Sequence, residues 1–332
     1  VATIRVSLIG RTAAVLCAAL GLSAIAAPRD TAAQAFPNKP IRLIISAPAG
    51  GPRDIQARLI GPKLQDALGQ PLVVDNRGGA SGIIGTDLVA KAQPDGHTLL
   101  MLTLSHAVTA TLYPKLPYDS INDFTYITSV TSGPGLLVVN LSVPAKTVAE
   151  FVEYVRGRPG KVFYGTAGSG TPSHLAVELL KIITRTDMVH VPYKGMAAAI
   201  TDVISGQLQA SIPTIPAGLQ HAKAGRLRAL AVTSVRRSSA APELPTMIEA
   251  GIPGYSASNW YGMAAPAKTP RPVVMRLNKE IRAAMASADL AERFIALGLE
   301  PDTSSPEEFS AFVKSEVDKW AKVVKASGLR PD

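Results

Sequence analysis

Ala47-Pro48-Ala49-Gly50-Gly51-Pro52-Arg53-Asp54 stands between an apolar, β-branched run at 41–45 and a segment with a helical apolar period. That period runs through Ile55, Leu59, Ile60, Leu64 and Leu68, and Gly69 closes it. A strand, a glycine turn and a helix are expected. The glycines permit positive φ and let backbone N–H groups approach a ligand. Pro52 suits the first helical position and Asp54 the first turn. Such a turn presents N–H groups and the positive end of a helix dipole, which attracts a carboxylate. The same turn also serves merely to start a helix.

The device recurs at Gly165-Thr166-Ala167-Gly168-Ser169-Gly170-Thr171-Pro172-Ser173-His174, where Thr171 is the expected N-cap and Pro172 the first helical residue. Thr166, Ser169 and Thr171 add hydroxyl groups. Around these turns, strands are expected at 71–75, 97–103, 136–140, 161–165, 188–191, 209–213 and 227–232. Helices are expected at 82–92, 147–156, 172–183 and 197–205. This βαβα order predicts mostly parallel sheets with helices on their faces. The run at 136–140 reads as leaving a first lobe and 260–264 as returning to it. Amphipathic helices at 272–287, 290–297 and 307–327 then pack on that lobe. The resulting division is a signal segment at 1–35, a first lobe at 36–138, a second at 139–258, and a return to the first at 259–332. Paired glycine turns at the carboxyl ends of strands are what a cleft between two α/β lobes uses.

The 332 residues suffice for two domains, and 47% hydrophobic against 18% charged residues favours a buried core over disorder. No apolar run beyond the N-terminal stretch reaches the ~20 residues of a membrane helix. Arg5 and Arg11, the small apolar stretch 13–27 and Ala33-Gln34-Ala35 before Phe36 read as a cleaved export signal. Ala24-Ile25-Ala26 is a second possible cut, and a short membrane anchor is the alternative. Cys17 follows Leu16 rather than a small residue, which argues against a lipoprotein.

Cleavage after Ala35 removes three of the 34 basic and one of the 25 acidic residues, leaving a net charge of +7 and no cysteine. A disulfide framework, a thiol nucleophile and a cysteine zinc site are then excluded, and export without disulfides fits a periplasm. The charges are scattered, densest at Arg226, Arg228, Arg236 and Arg237, and aromatics make up only 5%. Nucleic acid is therefore not the expected partner, and the charge reads as a mild attraction for anionic solutes.

Thr103, Ser105 and His106 follow a strand and offer hydroxyls or an imidazole, though an ordinary polar loop accounts for His106 equally well. Val191-Pro192-Tyr193-Lys194-Gly195, with Asp202 on the next helix, offers in Tyr193 a flat wall with a polar tip. Asn259-Trp260-Tyr261-Gly262 lies at the return crossing, with Trp260 readable as core. Enzyme signatures are missing: there is no G-x-S-x-G, G-x-G-x-x-G or P-loop, and the five histidines have no metal-ligand spacing. Ser169 and His174 make a Ser–His pair conceivable, but an orienting group and an oxyanion hole are also needed. No catalysis, cofactor or metal is expected.

Several motifs occur in a familiar order: Lys39-Pro40-Ile41-Arg42, the glycine loop at 47–54, Val74-Asp75-Asn76-Arg77, Pro94-Asp95-Gly96-His97, Ser173-His174-Leu175-Ala176, Val191-Pro192-Tyr193-Lys194-Gly195 and Trp260-Tyr261-Gly262. Together they resemble the Bug family, the extracytoplasmic receptors of tripartite tricarboxylate transporters, from about residue 36 to the end. The resemblance implies an α/β type II periplasmic-binding-protein fold, with two lobes around a ligand cleft and a two-strand hinge. It implies a monomeric periplasmic receptor, a small organic acid as ligand, and membrane permease subunits as partners. Carried over, the ligand contacts fall on Gly50, Gly51, Arg53 and Asp54, and on Ala167, Ser169, Gly170 and Thr171. The chain departs from the family pattern at Arg53, where Ser or Thr is usual. It departs also at Ser46-Ala47, in place of a Pro-aromatic pair, and at Pro213, an often acidic position. A smaller wall and an extra cation would suit a bulkier or more anionic acid. A sensor presenting the acid to a membrane kinase is the alternative output, and an exported Ser169 hydrolase the third reading.

Overall fold

The computed structural model describes residues 36–330, so the expected signal segment, with its cut near Ala35, lies outside the described residues. The chain opens with β1 (Ile41–Ile45), α1 (Pro52–Leu68), β2 (Leu72–Asn76), α2 (Ile83–Ala90), β3 (Thr98–Thr103), α3 (Leu104–Leu112) and β4 (Phe124–Gly133). It continues with β5 (Leu136–Val139), α4 (Val148–Arg156), β6 (Phe163–Thr166), α5 (Pro172–Thr184), β7 (Val189–Pro192), α6 (Met196–Ser205), β8 (Ala210–Ser211), α7 (Ile215–Lys223) and β9 (Arg228–Val232). It closes with β10 (Asn259–Pro266), α8 (Arg271–Met285), α9 (Ala288–Ala296), β11 (Glu300–Pro301) and α10 (Pro306–Ser327).

These strands form two sheets, ordered β11-β4-β10-β3-β1-β2 and β7-β6-β8-β5-β9. β1 lies parallel to β2 and β3, and β6 lies parallel to β7 and β8. The sheets are nonetheless mixed rather than mostly parallel. β10 runs against both β3 and β4, and β5 against both β8 and β9. Leu136–Val139, read from sequence as leaving the first lobe, pairs within the second sheet, so the change of sheet comes at Gly133–Pro134–Gly135. The return passes Thr233, which is tied to this crossing. Gly135 N donates to Thr233 Oγ1 (2.7 Å) and Thr233 N to Gly135 O (3.0 Å), and Ala257 N donates to Thr233 O (3.1 Å). The two connections thus lie side by side, as a two-strand hinge requires.

Local chemistry explains the ends of the helices that matter. Gly69, at φ 69°, closes α1 in the left-handed conformation that glycine tolerates. Ser305 and Glu308 form a reciprocal capping box at α10, with Pro306 in the first helical position. Gly262 has a different reason: a Cβ there would collide with the ring of Phe309 on α10, so the absent side chain lets the helix seat on β10. Along β10, alternation sends Trp260 into that packing, T-shaped on Phe309 at 5.9 Å, while Asn259 and Tyr261 face the other way. Trp260 is therefore core.

Candidate functional site

In each sheet, one parallel strand is flanked on both sides by strands that follow it in the chain: β1 by β2 and β3, β6 by β7 and β8. Crossovers leave such a strand in opposite directions, and a crevice opens at its carboxyl end. The glycine turns at 46–51 and 167–171 follow these two strands. Their flanks meet in one cavity of about 540 Å³, a size usual for small-molecule sites.

From the first lobe the cavity takes in Ser46, Arg53, Thr103 and Ser105, and from the second Ser169, Gly170 and Thr171. Pro52, Leu104 and Pro172, the first residues of α1, α3 and α5, also line it, so three helix N-termini face the same space. Tyr261, in register with Thr103 on β3, and Asn259 join from β10.

Arg53 and Ser46, two departures noted in the sequence, are partners: Arg53 Nη1 donates to Ser46 Oγ at 2.8 Å. The small residue at 46 both makes room for the guanidinium and orients it. Among the described residues no carboxylate pairs with Arg53, and burial pulls its pKa below the usual value, against the opposing influence of Tyr261. Tyr261 OH accepts from Asn259 Nδ2 at 2.7 Å, which leaves its own proton to donate. Burial pushes this phenol up to about 12, outweighing Arg53 and the Asn259 hydrogen bond. Among the described residues the cavity lining holds two arginines, Arg53 and Arg330, and no acidic residue.

Other sequence-expected residues support the loops from behind. Gly50 takes φ 80°, and its N–H donates to Asp54 Oδ2 (3.0 Å), which also accepts from Arg58. The Arg58 hydrogen bond holds the Asp54 carboxyl below its usual range despite burial. Gly51 is the N-cap of α1. None of Gly50, Gly51 and Asp54 lines the cavity. In the second loop, Gly168 and Gly170 have φ of 132° and 69°. Thr171 does not cap α5 through its hydroxyl as the sequence suggests. That hydroxyl donates to Gly168 O (2.7 Å) and closes the loop on itself. Ala167 N donates to Ser173 Oγ, and Gly170 N to His174 Nδ1. These N–H groups are thereby turned into the loop, not outward as the sequence reading expects. Thr166 is fully buried and bonded to His190 Nε2 at 2.6 Å. Tyr193 and Asp202 pair with each other at 2.5 Å, and neither lines the cavity.

His174 stacks on His190 with ring centroids 3.7 Å apart, and its Nε2 lies 3.7 Å from Glu178. Both of its nitrogens therefore face groups other than Ser169, and among the described residues no hydrogen bond joins the serine to an imidazole. Burial works against the charge of Glu178, but hydrogen bonds from Lys181 and Tyr164 and the nearby His174 ring outweigh it and pull the pKa to about 2.

His106 lies away from the cavity, in the core. Its ring packs between Tyr118 and Phe124, and its Nε2 is 2.8 Å from Ser120 O. Burial lowers its pKa from 6.5 to about 4, against the Ser120 hydrogen bond. A base depressed in the folded state stabilises fully above the unfolded pKa and loses that stability as pH falls toward the folded one. Between pH 7 and 5 this group should cost about 2 kcal/mol of folding stability. Urea unfolding of His106→Phe should show a pH 7-to-5 loss smaller than wild type by that amount. Equal losses would remove His106 as the source.

The family model described as Tripartite tricarboxylate transporter family receptor matches residues 56–329. BugT of Bordetella pertussis (strain Tohama I) is 37% identical over 322 residues, covering 96% of this chain and 98% of that protein. The solved structure of Rhodopseudomonas palustris Rpa4515 with adipate superimposes with a TM-score of 0.70 at 36% identity, over 90% of this chain and 100% of the other. MatC (Rpa3494) from the same organism, with bound malate, gives 0.66 at 32%, over 87% and 100%.

Proposed function

Since the chain belongs to the tripartite tricarboxylate transporter receptor family, we infer that it captures a small organic acid anion between its lobes and hands it to membrane permease subunits. The receptor works as a monomer outside the cytoplasmic membrane and leaves its ligand chemically unchanged. The observation that carries this reading is the charge of the cavity among the described residues: Arg53 without an ion pair, Arg330, and no acid in the lining. A carboxylate supplies the missing negative charge. Arg53, Thr103 and Ser105 grip it from one lobe and Ser169 from the other, where Gly170 and Thr171 shape the wall. Acids bound in the similar structures, adipate and malate, support the same ligand class. Hydrogen bonds to a charged group contribute ~1.5–3 kcal/mol each. A few of them, offset by the cost of association, reach a micromolar constant, about −8 kcal/mol.

A thermal-shift screen over organic acids tests this reading. A ligand present at 100 times its Kd stabilises the native state by about 2.7 kcal/mol. At least one mono-, di- or tricarboxylate should raise Tm by several degrees, and neutral amides of the same acids should not. A chain that responds to none of the acids, or equally to the amides, does not have this function.

A further inference from the structure

The polar end of the cavity has a counterpart that a small hydroxylated acid would leave untouched. Arg53, Tyr261 and Thr103 gather at the carboxyl edge of the first sheet. From that edge α3 runs away, and Leu104, Val108 and Leu112 all line the cavity. Their i, i+4, i+8 spacing puts them on one stripe of the helix, about 12 Å long. Leu175 of α5 also lines the cavity, from the second lobe. Tyr113, the residue after α3, lines the cavity too, and its hydroxyl bonds to Ser81 Oγ at 2.8 Å, a polar stop at the end of the stripe.

A carboxylate held at Arg53 therefore has, beside the Ser105–Thr109 edge of the same helix, an apolar stripe for the rest of the molecule to cover. We propose that the α3 stripe makes this receptor selective for acids with an extended apolar body, straight-chain or aryl, over short or hydroxylated ones, with Val108 and Leu112 as specificity determinants. This rests on the cavity being the organic-acid site proposed above. Apolar contact scales with the area removed from water, so each added methylene should tighten binding about fourfold until the body reaches the Tyr113–Ser81 pair.

Isothermal titration of the chain with succinate, glutarate, adipate and pimelate tests this directly. Wild type should show Kd falling about fourfold per methylene, with malate no tighter than succinate. Val108→Thr, nearly isosteric, and Leu112→Gln, at the half-buried end of the helix, should flatten that slope while leaving the succinate Kd within about twofold. A flat or reversed slope in wild type overturns the proposal, as do variants that retain the wild-type slope. Wild type that binds none of the four diacids but is stabilised by a short or hydroxylated acid in preference to alkyl and aryl acids overturns it and leaves the receptor reading intact. Wild type stabilised by no organic acid overturns both.

Discussion

Replacing Arg53 by threonine is expected to weaken binding of the best organic acid roughly 10- to 150-fold, the range set by one charge-assisted hydrogen bond of ~1.5–3 kcal/mol. Arg53 is a cavity cation held by Ser46 Oγ at 2.8 Å, with no carboxylate among the described residues to neutralise it. An anion therefore gains the full interaction, because it displaces no intramolecular partner. The same feature predicts an effect of opposite sign on the unliganded chain. A half-buried guanidinium without an ion pair is a burden on stability, so its removal should leave Tm unchanged or higher. Loss of affinity without loss of Tm separates a binding role from a structural one. The wild-type constant should weaken with added salt more steeply than the variant's, since one charge contact is gone. If the two proteins bound every acid equally, Arg53 would not face the ligand and the charge argument would fail.

Much of this site was legible in the sequence because it is built from local signals. Glycine, proline and a short polar residue between an apolar run and a helical period mark a strand-to-helix turn wherever they occur. Both turns lie where such marks place them, Gly51–Pro52 and Thr171–Pro172 opening their helices. What the sequence hid is non-local. Leu104–Leu112, where the sequence reading singles out only Ser105 and His106 and assigns no element, is a helix whose N-cap Thr103 accepts from Ser105 N. Its β-branched Val108, Thr109 and Thr111 dilute the helical signal. The long strand Phe124–Gly133 escaped because its polar residues are buried. Thr131 is fully buried and donates to Gln56 at 2.6 Å, and Thr128 donates to Ser304 O at 2.9 Å, partners 75 and 176 residues away. Tyr193 and Asp202 failed in the reverse sense. Both are polar and near a loop, but each is the other's partner, and no local pattern separates that from a ligand contact.

The opposite face of β10 carries the largest expected effect on stability. Glu316 of α10 is buried, and its Oε2 accepts from both Trp260 Nε1 and Trp320 Nε1 at 2.8 Å, while Oε1 pairs with Lys319. Lys319 in turn donates to Ser256 O at 2.8 Å and lies over the Trp320 ring. One carboxylate thus satisfies the only two indoles of the chain and fastens α10 to the returning strand. Glu316→Ala leaves two buried N–H donors without an acceptor and takes from Lys319 its counter-ion, though not its bond to Ser256 O. Such losses cost ~1–3 kcal/mol per donor, and with Lys319 part-exposed and still bonded to Ser256 O the two indoles dominate, so a total of about 4 kcal/mol is expected. At ~2–4 °C per kcal/mol, Tm should fall by roughly 10 °C. Glu316→Gln keeps the volume and one acceptor oxygen but loses the charge, and should cost about half as much. Indole fluorescence reports both changes, because Trp260 and Trp320 share this acceptor. Trp260 also separates Asn259 from Tyr261, so the clasp holds the cavity-facing residues in register. Well below the variant's Tm, acid binding should nevertheless stay within a few-fold of wild type, because Glu316 lies on the face of β10 away from the ligand. A loss under 1 kcal/mol for the alanine variant would mean that water or a relaxed helix end replaces the carboxylate, and the clasp would then not hold the return strand.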